Sequence, residues 1–188
     1  MNPALGARCF LLLSFTQIMT NFDCDAYTGA TPLALVKENG SVNILNMVVG
    51  KTAGTIGETS MIAILIGACI LLIMGVIDLR VPGTYIVSFV IFIVLFGGHG
   101  LDPAFITAHL AGGGLMLGAF FMATDYVTSP TTPLGKLVFG IGAGLITVLI
   151  REWGIYPEGV SFAILIMNIL NPYIDSLTAR KMFGGAKK

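Results

Sequence analysis

The sequence predicts an all-α polytopic membrane protein of about six transmembrane helices. Three observations predict it. Apolar residues make up 55% of the 188 residues and charged residues 11%, under half of the roughly 25% charge usual for a soluble domain. Mean hydropathy is +0.90. The charges are also spaced: none lies between Glu58 and Asp78, between Arg80 and Asp102, or between Asp102 and Asp125. Each gap is close to the ~20 residues that a helix needs to cross a ~30 Å hydrocarbon core.

These gaps and three shorter ones mark six apolar segments, near 7–21, 59–77, 83–99, 105–124, 136–152 and 159–176. The first has a Leu-rich run after Arg8, but no small-x-small cleavage pattern follows before Asp23, so it reads as a span and not as a signal peptide. The second is continuously apolar from Met61 to Ile77, without the alternation of a barrel strand. Thr55-Ile-Gly-Glu58 has capping-box spacing and is expected to open it. Pro82-Gly83 marks the start of the third. The fourth contains Gly112-Gly-Gly114, which either packs closely or breaks the helix. Ser129-Pro-Thr-Thr-Pro133 separates the fourth from the fifth, and Tyr156-Pro-Glu-Gly159 the fifth from the sixth.

With six spans, both termini share a side. That side carries Arg8, Arg80, Lys136, Arg180, Lys181, Lys187 and Lys188, against Lys37, Lys51 and Arg151 on the other. The excess of basic residues predicts cytoplasmic termini and an extracytoplasmic loop at about 22–58. Residues 1–188 thus read as a single membrane domain surrounded by lipid.

Other classes are disfavoured. Ten basic and ten acidic residues give no net charge and no broad nucleic-acid face. Cys9, Cys24 and Cys69 form neither a disulfide framework nor a zinc pattern. Gly50-Lys51-Thr52 has the end of a phosphate-binding loop, but Leu45 stands where its first glycine belongs. No nucleophile–base arrangement is apparent, so no catalytic residue and no metal ligand is assigned. Inside the spans, His109 reads as neutral and hydrogen-bonded across a helix contact, with a functional intramembrane site as the alternative. Gly114-x-x-x-Gly118 and Gly140-x-x-x-Gly144 have close-packing spacing. Asp125, Thr128 and Ser129 read as helix caps, with an ion or second-cofactor site as the alternative. Arg151, Glu152 and Glu158 read as a mixed, ion-paired cluster on the outer side.

Chemistry is expected in the outer loop. There Thr31-Pro32 suits the cap and first residue of a helix. The same stretch, Asp25-Ala-Tyr-Thr28-Gly29-Ala30-Thr31, resembles the flavinylation motif D-x-x-(S/T)-G-A-T. The resemblance implies that a flavin transferase attaches FMN through its phosphate to Thr31. Asp25 and Thr28 then serve recognition or positioning, and Gly29 and Ala30 keep the hydroxyl accessible. The two readings combine, because a phosphate on a helix-capping threonine would meet free amides and the positive end of the helix dipole.

The surrounding sequence extends the resemblance. Its matching stretches are Asn2-Pro-Ala4 leading into Phe10-Leu-Leu-Leu-Ser-Phe15, Gly54-Thr-Ile-Gly-Glu58-Thr-Ser60, Gly118-Ala-Phe-Phe-Met-Ala-Thr-Asp125, Val127-Thr-Ser-Pro130 and Tyr156-Pro-Glu-Gly159. Together, and in this order, they resemble the C-terminal half of the RnfD component of the Rnf ion-translocating electron transport complex. More distantly they are similar to the NqrB component of the sodium-translocating NADH:quinone reductase. Tyr126 departs from the proline common at that position in the family.

The resemblance implies the second inverted repeat, with an adjoining helix, of a transporter-like fold built from two five-helix repeats. It implies a bacterial inner-membrane location and a non-autonomous redox component of a translocase. That component would relay electrons between ferredoxin and NAD, coupled to Na+ or H+ movement. Its cofactors would be covalent FMN and a non-covalent riboflavin whose position is not assigned, and its partners the other subunits of the complex and the flavin transferase. Family members carry further spans before the point matching Met1, so a truncated, inactive form is one alternative. A small-solute transporter or channel without flavin is another.

Overall fold

The computed structural model describes residues 2–20, 44–51, 59–98, 100–154 and 159–179. Among them the secondary structure is helical, with no strand. Helices α1 (Pro3–Ser14) and α2 (Thr16–Thr20) are followed by α3 (Ile44–Val49), α4 (Met61–Ile73) and α5 (Arg80–Phe96). Next come α6 (Pro103–Ala111) and α7 (Leu115–Leu117), the latter continuing into a π-helical turn at Gly118–Met122. Then follow α8 (Pro133–Trp153) and α9 (Val160–Thr178). Two helices, α8 and α9, are long and apolar enough to cross a membrane. The bent pair α6–α7 with its π turn makes a third if counted as one span, and α1, α4 and α5 are shorter apolar helices.

Local chemistry explains several boundaries that differ from the sequence expectation. α1 begins at Pro3, not near residue 7, because Asn2 Oδ1 accepts from Ala4 N at 3.0 Å and Leu5 N at 3.4 Å. α4 is capped by Ser60, whose Oγ accepts from Ala63 N at 3.3 Å; the proposed cap Thr55 lies outside the described residues. α5 begins at Arg80, where Asp78 Oδ1 accepts the Arg80 amide at 3.1 Å. Pro82 falls in the first turn, where a missing N–H costs nothing. α8 begins at Pro133, before the expected residue 136, because Thr132 Oγ1 accepts from Gly135 N at 3.0 Å and Pro133 suits the first helical position. Gly50, at φ +98°, ends α3 with its own N–H on Asn46 O at 2.9 Å, so the apparent nucleotide motif is a helix stop.

The centre of the bundle is α8 against α5. Gly140 and Gly144 let the two backbones approach closely. A Cβ on Gly140 would strike the Thr84 hydroxyl and lie 3.0 Å from Tyr85 N. A Cβ on Gly144 would strike the Ser88 hydroxyl and lie 2.9 Å from Phe89 N. Tyr85, Phe89 and Phe139 are fully buried along this seam. Polar contacts stitch it further: Tyr85 Oη meets Thr147 Oγ1 at 2.6 Å, and Ser88 Oγ donates to Gly140 O at 3.2 Å. In a bilayer such interhelical bonds contribute about 0.6 kcal/mol each. α9 packs on the other side of α8, with Met167 against Gly142, and α1 packs on α9.

The outer face of α4 leaves Ile62, Ile66, Ile70 and Ile73 exposed at helical spacing. α8 similarly exposes Leu134, Leu137, Val138 and Ile141. Stripes this apolar suit hydrocarbon and not water.

Candidate functional site at a broken helix

Besides the α5–α8 seam, two polar clusters stand out among the described residues: one at a break in the fourth apolar segment, the other at the end of the bundle where α4 ends and α8 begins.

The break lies where the sequence places three glycines. α6 starts under Asp102, whose Oδ1 accepts from Ala104 N at 3.0 Å. It stops at Ala111, followed by an extended Gly112 with φ −97° and ψ 163°. Gly113 and Gly114 then take φ +66° and +62°, a region costing other residues roughly 1–2 kcal/mol. The chain resumes at 61° to α6. Just beyond, the π turn at Gly118–Met122 closes with Ala123 N on Gly118 O at 2.7 Å. Gly118 itself seats the Val160 side chain, so no Cβ fits there.

A break strips the last carbonyls of α6 of helical donors, and in lipid each unsatisfied group costs several kcal/mol. Arg151, in the last turn of α8, supplies donors. Its Nη1 donates to His109 O at 2.6 Å, and its Nη2 to Gly112 O and Gly113 O, each at 3.1 Å. The residue is 2% exposed. Its guanidinium carbon also lies 5.2 Å from the Phe89 ring centroid, a cation–π contact. The sequence pattern sets Arg151 in a mixed, ion-paired cluster with Glu152 and Glu158; its guanidinium reaches the break, and Glu158 lies outside the described residues. The His109 ring is buried, 4.3 Å from Phe105 between centroids. The signal for this contact in the sequence is one arginine close to the end of an apolar helix, plus three consecutive glycines. Their separation by 39 residues hides the pairing.

At the opposite end, Asp125 caps no helix, contrary to expectation. Its Oδ2 accepts from Asn2 Nδ2 at 3.3 Å and from Thr128 Oγ1 at 3.0 Å, tying the start of α1 to the turn after the π segment. Asn171 Nδ2 donates to Thr128 O at 3.1 Å. Asp175 accepts the Thr131 amide at 3.1 Å, and Thr132 and Thr178 share a bond at 2.5 Å. The 128–132 connection is thus stitched along one face of α9. Nearby, Lys136 Nζ lies 2.8 Å from Asp78 Oδ2, and Arg80 Nε lies 3.9 Å from Asp78 Oδ1. The hydrogen bond from Lys136 holds the Asp78 carboxyl below the usual carboxylate range, helped by the Arg80 amide and both positive charges, against a smaller opposing effect of burial. This pair borders a cleft of about 310 Å³ lined also by Tyr126, Ser129 and Thr131.

The residues singled out for cofactor attachment, Asp25, Thr28, Gly29, Ala30 and Thr31, all lie outside the described residues, as does His99. Their fit to FMN is therefore one of chemistry. Thr31 has the hydroxyl that a phosphoester needs, and its two preceding neighbours are small. Among the described residues no cluster of His, Cys, Asp and Glu could hold a metal ion.

An apolar helical bundle with a discontinuous helix whose carbonyls meet a buried arginine is the architecture of a polytopic membrane protein. Residues 1–184 match the NQR2, RnfD, RnfE family, and the chain belongs to it. It is 45% identical to the D subunit of the Na(+)-translocating ferredoxin:NAD(+) oxidoreductase complex of Acetobacterium woodii, over 99% of this chain and 59% of that protein. It is 40% identical to the D subunit of the proton-translocating ferredoxin:NAD(+) oxidoreductase complex of Clostridium ljungdahlii, over 97% and 61%. It is 32% identical to the D subunit of the ion-translocating oxidoreductase complex of Stutzerimonas stutzeri, over 97% and 63%. The chain spans about three-fifths of the length of these relatives.

Proposed function

We propose that this chain is part of a membrane component of an ion-translocating electron transport complex of the ferredoxin:NAD type. In this reading it carries FMN joined through its phosphate to Thr31 and sits in the bacterial inner membrane. Both termini are cytoplasmic, and the flavin-bearing loop at about 22–58 is extracytoplasmic. One observation carries the proposal: a member of this family reads Asp25-Ala-Tyr-Thr28-Gly29-Ala30-Thr31 in its longest polar stretch. When bound, FMN supplies one- and two-electron redox chemistry; the protein's task is to hold it and to fix its surroundings. Thr31 contributes the ester oxygen, Gly29 and Ala30 leave room for the transferase, and Asp25 and Thr28 are recognition groups. The other subunits of the complex supply the electron donor and acceptor. Relatives named as Na+- and proton-translocating both align, so the coupling ion follows from neither name.

The test is in-gel flavin fluorescence after denaturing electrophoresis, with a flavin transferase co-expressed. The expected result is a fluorescent band that is lost in Thr31→Val and kept, at least in part, in Thr31→Ser. A dark wild-type band, under conditions that label a known substrate of the transferase, overturns the flavin reading.

A further inference from the structure

The helix break and Arg151 belong to different helices, and neither is satisfied alone. A continuous helix through residues 109–116 would meet its own carbonyls from within. The bent form cannot, and it draws its donors from α8: the guanidinium serves His109 O, Gly112 O and Gly113 O at once. The charge gains in return. Three carbonyl dipoles and the face of Phe89 surround it, and the C-terminal end of α6 presents the negative pole of its helix dipole. A lysine could not do the same, since a point charge on a flexible stem lacks the planar fork that spans several acceptors.

The backbone around the contact is built to change shape. Gly113 and Gly114 have positive φ, and glycine adopts such values as readily as negative ones. The π turn at Gly118–Met122 follows within a few residues, and such single π turns are frequent at functional sites. On either side the chain is held: Ala108 and His109 are buried before the glycines, and after them Leu115 and Ala119 are fully buried and Gly118 is seated on Val160. Freedom is confined to a short stretch between fixed points, as in a hinge.

We propose that Arg151 is the clasp of this hinge: its guanidinium holds the α6–α7 break in the bent arrangement. The hinge is then the part of the chain that changes shape when the ion is moved. The second half of this inference rests on the translocase reading above; the first does not. Arg151 is a positioning residue and touches no reacting atom.

Amide hydrogen exchange in the assembled complex tests the clasp. In Arg151→Met the amides of residues 112–118 should exchange about tenfold faster or more, while those of α5 and α9 keep their protection. Arg151→Lys should fall between Met and wild type. Methylguanidinium added to Arg151→Ala should slow the same amides again. Unchanged exchange at 112–118 in Arg151→Lys overturns the clasp, and so does an increase spread evenly over α5 and α9. If the Met and Ala variants fail to assemble, the Lys variant alone decides. The second readout is the number of ions moved per electron in vesicles. The Arg151→Lys complex should move no more than about half the wild-type number, because a loosened hinge slips. An unchanged ratio alongside faster exchange overturns the translocation role and leaves the clasp standing. Exchange needs no flavin, so a dark Thr31 band leaves this test intact.

Discussion

The α5–α8 seam and the α6–α7 break are both built on glycine, and glycine does opposite work in them. In the seam, Gly140 and Gly144 are helical, and what matters is the missing Cβ: Thr84, Tyr85, Ser88 and Phe89 occupy its place. At the break, Gly113 and Gly114 matter for their φ angles, and what fills the space is a guanidinium from elsewhere. The seam is self-sufficient, with its hydrogen bonds and ring packing lying between the two helices that form it. The break depends on a third party. On the hinge reading proposed above, the seam glycines make a rigid joint and the positive-φ glycines a movable one.

The largest effect should come from closing the seam to its partner. Gly144→Leu places a branched side chain where Ser88 and the Phe89 amide now sit. It is expected to cost about 3 kcal/mol or more, the upper range for overpacking, and to prevent recovery of a monodisperse protein by size-exclusion chromatography. Behaviour like that of the wild type would show that α5 and α8 do not need this approach. Gly113→Ala is the matching change at the break. It costs about 1–2 kcal/mol through its φ of +66°. It should lower the thermal midpoint of the detergent-solubilised protein by a few degrees without loss of assembly. If both substitutions cost the same, the distinction between the two uses of glycine fails.

The smallest effect is electrostatic. Asp78 has its carboxyl held low by Lys136, so the pair stabilises the fold above the ordinary carboxylate value of about 3.9. That contribution fades as pH falls through the lower folded-state value. Both groups are partly exposed, and salt weakens the pair further. A shallow drop in thermal midpoint should appear below about pH 4 in wild type and be reduced in Asp78→Asn. Equal acid sensitivity in the two proteins would assign it to other carboxylates.

Much of this was legible in the sequence, for reasons tied to particular residues. Charge spacing marked the apolar segments, because burying a lone charge in hydrocarbon is costly. Ser129-Pro-Thr-Thr-Pro133 marked the break before α8 through its turn residues, and Gly140-x-x-x-Gly144 announced close approach through its spacing. The segment at 105–124 was ambiguous: Gly112-Gly-Gly114 serves equally for close packing or for breakage, and only the donors of Arg151 decide between them. Asp125 was misread for the same reason. Its partner Asn2 lies 123 positions away, beyond the reach of any local rule. The lengths of α1, α4 and α5 were also hidden, since hydropathy reports how apolar a stretch is and not where its helix stops. The sequence singled out Thr31 by motif alone, and its surroundings lie outside the described residues.

The contact between Arg151 and Gly112 also has a direction in time. The chain is made from its N-terminus, and 39 residues separate the two positions. At about 5–20 residues per second, the broken segment leaves the ribosome between roughly 2 and 8 s before its arginine exists. During that interval the carbonyls of His109, Gly112 and Gly113 have no guanidinium to meet. The membrane-insertion machinery must therefore receive this stretch either as a straight helix or still in contact with water. If Arg151 is the clasp proposed above, the bend is completed when α8 arrives and not when α6 and α7 are threaded. Termination of synthesis shortly before residue 151 would leave a nascent chain whose most distinctive feature had not yet formed.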